Sequence, residues 1–152
     1  MSKKVYIGCD HAALHMKNDI VGYLNDKGYD VEDMGTYTPD KVDYPVYAEK
    51  VGRAVVADKG SLGILICGTG IGMSMAVNKI RGVRAAAVSE VYSAILTRKH
   101  NDANVLCFGA RVIGIETAKM IVDGFLEAEY EGERHAKRVG MIAALEEGSS
   151  LS

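Results

Sequence analysis

The 152-residue chain carries 18 basic and 20 acidic side chains, a net charge of −2. That near-balance leaves no electrostatic footprint for nucleic acid or an anionic membrane, and no apolar run approaches the ~20 residues a membrane helix needs. The length suits one domain, 1–152, able to bury a core without disulfide or metal staples. Three widely spaced cysteines, Cys9, Cys67 and Cys107, form no disulfide framework and no C-x-x-C pair, which suits a reducing, cytoplasmic compartment.

In chain order, the first apolar run, Lys4–Cys9, reads as a strand, followed by Asp10-His11 and a helix over Ala13–Lys27 with Leu14, Ile20, Val21 and Leu24 on one stripe and Gly28 as its stop. A second strand is expected at Tyr29–Met34, and Pro45 opens a helix to about Lys59, ended by Gly60. The third strand, Leu62–Cys67, runs into a glycine loop, Gly68-Thr69-Gly70-Ile71-Gly72, and then a helix over Met73–Ile80. Strand Arg84–Ser89, helix Glu90–His100, strand Asn104–Phe108 and helix Ile115–Leu126 complete the alternation. A last segment, Glu131–Glu147, is charged at its start and apolar later through Val139, Met141, Ile142 and Leu145. A helix that follows a completed domain and carries such a stripe is expected to pack on a partner subunit.

Strands too short for helices, alternating with helices, predict an α/β fold. The expectation is an open, doubly wound, Rossmann-like sheet of five parallel strands with helices on both faces and an extra C-terminal helix. Ligands bind such sheets at the carboxyl ends of the strands. The residues there are Asp10-His11, 35–44, 68–72, Glu90-Val91 and 109–111.

The glycine loop is spaced G-x-G-x-G, whereas the dinucleotide fingerprint is G-x-G-x-x-G after the first strand of a unit. Glu90 falls near the distance of that fingerprint's acid, but the early third glycine and the cysteine at the strand end favour an oxyanion or phosphate cradle. A thiol before such a loop could serve as nucleophile or base, its thiolate favoured by the helix dipole and the loop N–H groups. For a nucleophile, the partners to weigh are His11, His15, His100 and His135. His11 and His15 stand four apart, but without an accompanying acid they make no metal site, and none is expected. His100-Asn101 ends a helix, Arg111 follows the fifth strand, and Arg134 and Arg138, also four apart, would offer two guanidinium groups on one helix face.

Together, "GCDHAA", "DYP", "ICGTGIGMSMAVNK", "SEVYSA", "RKHNDANVLCFGARVIG" and "YEGERHAKRV" resemble the ribose-5-phosphate isomerase B family, whose fold the subunits of galactose-6-phosphate isomerase share. The resemblance covers Lys4 to about Val139 and implies interconversion of a phosphorylated aldose and its ketose through an enediolate, with neither metal nor cofactor. It implies that Cys67 is the base moving a proton between C2 and C1, and that Gly68, Thr69, Gly70, Ile71 and Gly72 cradle the enediolate oxygen. On the same basis His100 assists ring opening, Asn101 contacts substrate, Asp10 and His11 hold sugar oxygens and phosphate, and Arg111, Arg134 and Arg138 bind phosphate. In one branch of the family the base is a glutamate on the helix after the loop; here that position is Met73, so the cysteine branch is implied. The implied assembly is a homodimer or homotetramer with the active site shared between subunits, and the implied substrate is D-ribose 5-phosphate or D-ribulose 5-phosphate. Two other readings stay open: isomerisation of a six-carbon sugar phosphate such as allose 6-phosphate or galactose 6-phosphate, and a non-catalytic module that binds a phosphate ligand.

Overall fold

A computed structural model of the chain describes residues 3–152. Its strands are β1 (Lys4–Cys9), β2 (Asp30–Asp33), β3 (Leu62–Cys67), β4 (Ala85–Ala87) and β5 (Val105–Gly109). All neighbours run parallel, in the order β2-β1-β3-β5-β4. The helices are α1 (Leu14–Asp26, entered through a 3-10 turn at His11–Ala13), α2 (Tyr44–Ala57), α3 (Ile71–Val77), α4 (Val91–Asn101), α5 (Ile115–Glu127) and α6 (Arg134–Glu146).

Because side chains alternate across a strand, β3 feeds two cores at once. Leu62, Ile64 and Ile66 pack with Ile20 and Leu24 of α1, Ala94 of α4 and Ile121 and Phe125 of α5. Leu65 and Cys67 face the other way, among Ala48, Val51 and Val55 of α2 and Met73 and Val77 of α3. The sheet is therefore covered on both faces, as parallel sheets require, and all six residues of β3 are buried. Since α1 leaves on one face and α3 on the other, the chain parts at the carboxyl ends of β1 and β3 and opens a crevice between them.

Elements fall where the spacing predicts and differ at their ends. α3 starts two residues earlier than expected, because Gly70 takes a left-handed φ of 82° and turns the chain into the helix at Ile71. α6 starts three residues later, because Gly132 and Glu133 have φ of 67° and 50°, which no helix accepts. The edge strands β2 and β4 are shorter than their apolar runs, as strands with only one neighbour are.

One charged group is wholly inside: the Lys17 side chain on α1 is fully buried. Its ammonium donates to both carboxylate oxygens of Asp33, at 2.8 and 2.7 Å, and to the Thr36 carbonyl at 2.8 Å, so all three donors are used. This pins the segment after β2 to α1, next to the carboxyl end of β1, where Cys9 and Gly35 also bond backbone to backbone at 2.7 Å.

Candidate active site

β3 ends at Cys67, level with Gly109 of β5, and the strand pairing continues past both ends. The Ala110 N–H donates to the Cys67 carbonyl at 2.9 Å and the Arg111 N–H to the Gly68 carbonyl at 3.0 Å. The loop has no room for larger residues. A Cβ on Gly70 would lie 2.7 Å from the Phe108 backbone, one on Gly109 2.5 Å from the Thr69 Cα, and one on Gly72 2.7 Å from the Tyr44 ring. Glycine here serves close backbone approach as well as the left-handed turn.

Within that turn the Gly70 N–H donates to the Cys67 sulfur at 3.1 Å, and the Ile71 N–H donates to the Thr69 hydroxyl at 3.2 Å. The thiol is buried, and the backbone donor aimed at it complements negative charge on sulfur. The Arg111 guanidinium lies against Gly68. After β1, the nearly buried Asp10 accepts from the Ala12 N–H at 3.0 Å and so caps the 3-10 turn. His11 Nδ1 accepts from the Val42 N–H at 3.1 Å, which places the ring proton on Nε2 and leaves that N–H as the ring's free donor. Asp10, His11, residues 67–72 and Arg111 thus gather at one carboxyl edge, as the sequence predicts.

His100 and Asn101 do not join them. α4 runs back antiparallel to the strands, and its last residues lie at the amino edge: the Arg84 guanidinium, just before β4, donates to the Asn101 carbonyl at 3.2 Å and the Asp102 carbonyl at 3.0 Å. The five residues of β5 separate the two edges by about 13 Å or more along the strand direction. Arg134 and Arg138 belong to the same remote group, since α6 lies along that edge: His135 stacks on His100 with ring centroids 4.1 Å apart, and Glu146 accepts from the Gly82 N–H at 3.0 Å. Both arginines are exposed, and Arg138 folds back to donate to the Arg134 carbonyl at 3.0 Å. One chain therefore carries the expected site residues in two groups at opposite edges of its sheet.

The remote group holds a contact that the sequence does not disclose. His100 Nε2 and His135 Nε2 lie 3.7 and 3.5 Å from the same Glu131 carboxylate oxygen. Burial and the neighbouring His100 push His135 below the usual histidine range. Only the i,i+4 spacing of Glu131 and His135 could have hinted at it. Glu90, weighed as a ribose-binding acid, instead caps α4 by accepting from the Ser93 N–H at 2.8 Å, which lowers its carboxyl below the usual range.

A family model described as "Ribose/Galactose Isomerase" matches residues 5–142. Ribose-5-phosphate isomerase B of Escherichia coli (strain K12) is 52% identical over 145 residues, covering 95% of this chain and 97% of that one. D-erythrulose-4-phosphate isomerase of Pectobacterium atrosepticum is 44% identical over 144 residues, covering 93% and 94%. The solved ribose-5-phosphate isomerase B of Clostridium thermocellum superposes with a TM-score of 0.94 at 46% identity, over 97% of this chain and 99% of that one. Family model, sequence and fold agree over nearly the whole chain, and the chain belongs to the ribose and galactose isomerase family.

Proposed function

We propose that this isomerase interconverts D-ribose 5-phosphate and D-ribulose 5-phosphate, a step of the non-oxidative pentose phosphate pathway. The observation that carries the reading is the juxtaposition of the Cys67 sulfur with a backbone cradle one residue further on. A carbon acid next to a carbonyl needs a base within reach of its proton and fixed donors for the oxyanion it becomes. Cys67 takes the proton from C2 of the open aldose, the electron pair moves to O1, and the 68–72 backbone with the Thr69 hydroxyl stabilises the enediolate. Transfer of the O2 proton to O1 and return of the carbon proton from Cys67 to C1 give the ketose.

His11 and Arg111 stand where phosphate or sugar oxygens would be held, and Asp10 beside them accepts from hydroxyls. His100, Asn101, Arg134 and Arg138 serve the site of a second copy: His100 moves the ring-opening proton, Asn101 contacts substrate, and the arginines add phosphate-binding charge. The exposed Met141, Ile142 and Leu145 on α6 supply apolar surface for that pairing. A homodimer is the smallest assembly that completes a site, and pairing of dimers into a tetramer is compatible with it. Three free, buried cysteines suit the cytoplasm, and no helix among the described residues is long and apolar enough to cross a membrane.

The family description and the four-carbon activity of the Pectobacterium relative keep other sugar phosphates in view. Proton NMR of ribose 5-phosphate with the protein and a chelator in D2O tests the reading. Ketose formation with deuterium at the exchanging carbon supports it, and a higher kcat/KM on a six-carbon or four-carbon phosphate reassigns the substrate. Thermal stabilisation by these phosphates with no turnover would make the protein a binding module instead.

A further inference from the structure

We propose that His100, Glu131 and His135 form a binding site for a zinc-like divalent cation, and that its occupation halts the isomerase. The cation site rests on geometry alone, whereas the block on catalysis rests on the ring-opening role proposed for His100.

The three side chains offer one ligand atom each, all within 4.8 Å of one another. Two imidazole nitrogens and a carboxylate oxygen are the donor set of many open zinc sites, with ligand bonds of about 2.0–2.2 Å and a fourth position left to water. Both Nε2 atoms approach the same Glu131 oxygen, yet at 3.7 and 3.5 Å neither makes a hydrogen bond to it. His135 Nε2 is also buried and has no hydrogen-bond partner at all. A buried polar atom without a partner is costly, and a cation between the three groups would satisfy all of them.

The backbone holds the trio in place. Glu131 and His135 flank the left-handed turn at Gly132-Glu133, and the Glu131 N–H donates to the Lys99 carbonyl at 3.0 Å, tying this turn to the end of α4 beside His100. The rings are stacked with 13° between their planes, so ligation asks them to tilt apart until their lone pairs converge. Among the described residues Lys99, whose ammonium is 3.9 Å from Glu131, is the lysine or arginine that competes at the carboxylate, and it is half exposed and free to swing away. Once ligated, the His100 Nε2 lone pair is no longer available for proton transfer.

Calorimetric titration of zinc chloride into the intact oligomer, stripped with chelator and kept in phosphate-free buffer, tests the site. The expected result is one zinc per chain, weakened about tenfold or more in both His135→Gln and Glu131→Gln and unchanged in Cys67→Ser. Circular dichroism confirms that each variant is folded. No binding, or binding lost in Cys67→Ser but kept in His135→Gln, would overturn the site and assign the ion to the thiol. In the isomerase assay, inhibition by zinc that tracks the calorimetric affinity and fades in Glu131→Gln supports the block. Binding at these residues without inhibition would overturn the catalytic consequence and, with it, the role given to His100.

Discussion

Gly109 ends β5 directly against Thr69, so closely that a single added methyl would stand 2.5 Å from the Thr69 Cα and 2.6 Å from the Gly68 carbonyl oxygen. Backbone on both sides cannot swing away as a flexible side chain would. Gly109→Ala should displace the cradle from the sulfur, cutting kcat by tenfold or more while costing about 1–3 kcal/mol of stability. Gly114 has open space around it and an ordinary φ of −85°, so Gly114→Ala serves as the control and should leave kinetics and melting temperature near wild type. Equal kinetics for the two variants would remove the loop from the catalytic site.

The three thiols should divide by chemistry. Burial pushes Cys9 up to about 12 and Cys107 further still, so both remain neutral and unreactive through pH 10 in the folded chain. Because the unfolded thiols ionise at about 8.5 while the buried ones stay protonated, the folded chain loses stability as pH rises from there towards the folded value. Mass-spectrometric mapping after brief alkylation of native protein at pH 8 should find label on Cys67 first, with sugar phosphate slowing it. Cys67→Ala should keep the fold and lose about 10³ in kcat.

The site proposed to be shared between two subunits makes a stoichiometric forecast. Cys67→Ala and His100→Asn should each be nearly inactive, but dissociated and reassembled together in equal amounts they should recover about a quarter of wild-type activity. Half of the resulting pairs are mixed, and each mixed pair holds one site free of both lesions. A mixture as inactive as its components would mean that one chain supplies the whole site.

Much of this was legible in the sequence, and the failures have identifiable causes. Hydrophobic runs bounded by turns placed the five strands, and Cys67 followed by alternating glycines marked the tight turn at the carboxyl edge, because only glycine tolerates the backbone contacts that Gly70 and Gly109 make. Within one chain His100 lies far from Cys67, because a helix following a parallel strand returns the chain to the far edge. The Lys17–Asp33 pair and the His135–His100 stack escaped notice because they join distant stretches, and neither side chain breaks a local pattern. The late start of α6 was hidden by Glu133, a good helix former held in a left-handed conformation.

The hydrogen bonds that carry the β3–β5 ladder past Cys67 and Gly68 bind the sulfur, the cradle and the root of Arg111 into one rigid jaw. Adjacent strands stand about 4.8 Å apart, and that span cannot stretch to suit a longer substrate. In the shared site proposed above, the opposite jaw with Asn101, Arg134 and Arg138 would arrive from another chain. On that proposal, gauging a sugar of four, five or six carbons would fall to how two subunits are set against each other, and substrate range could drift through changes at an interface while the reacting residues stay fixed.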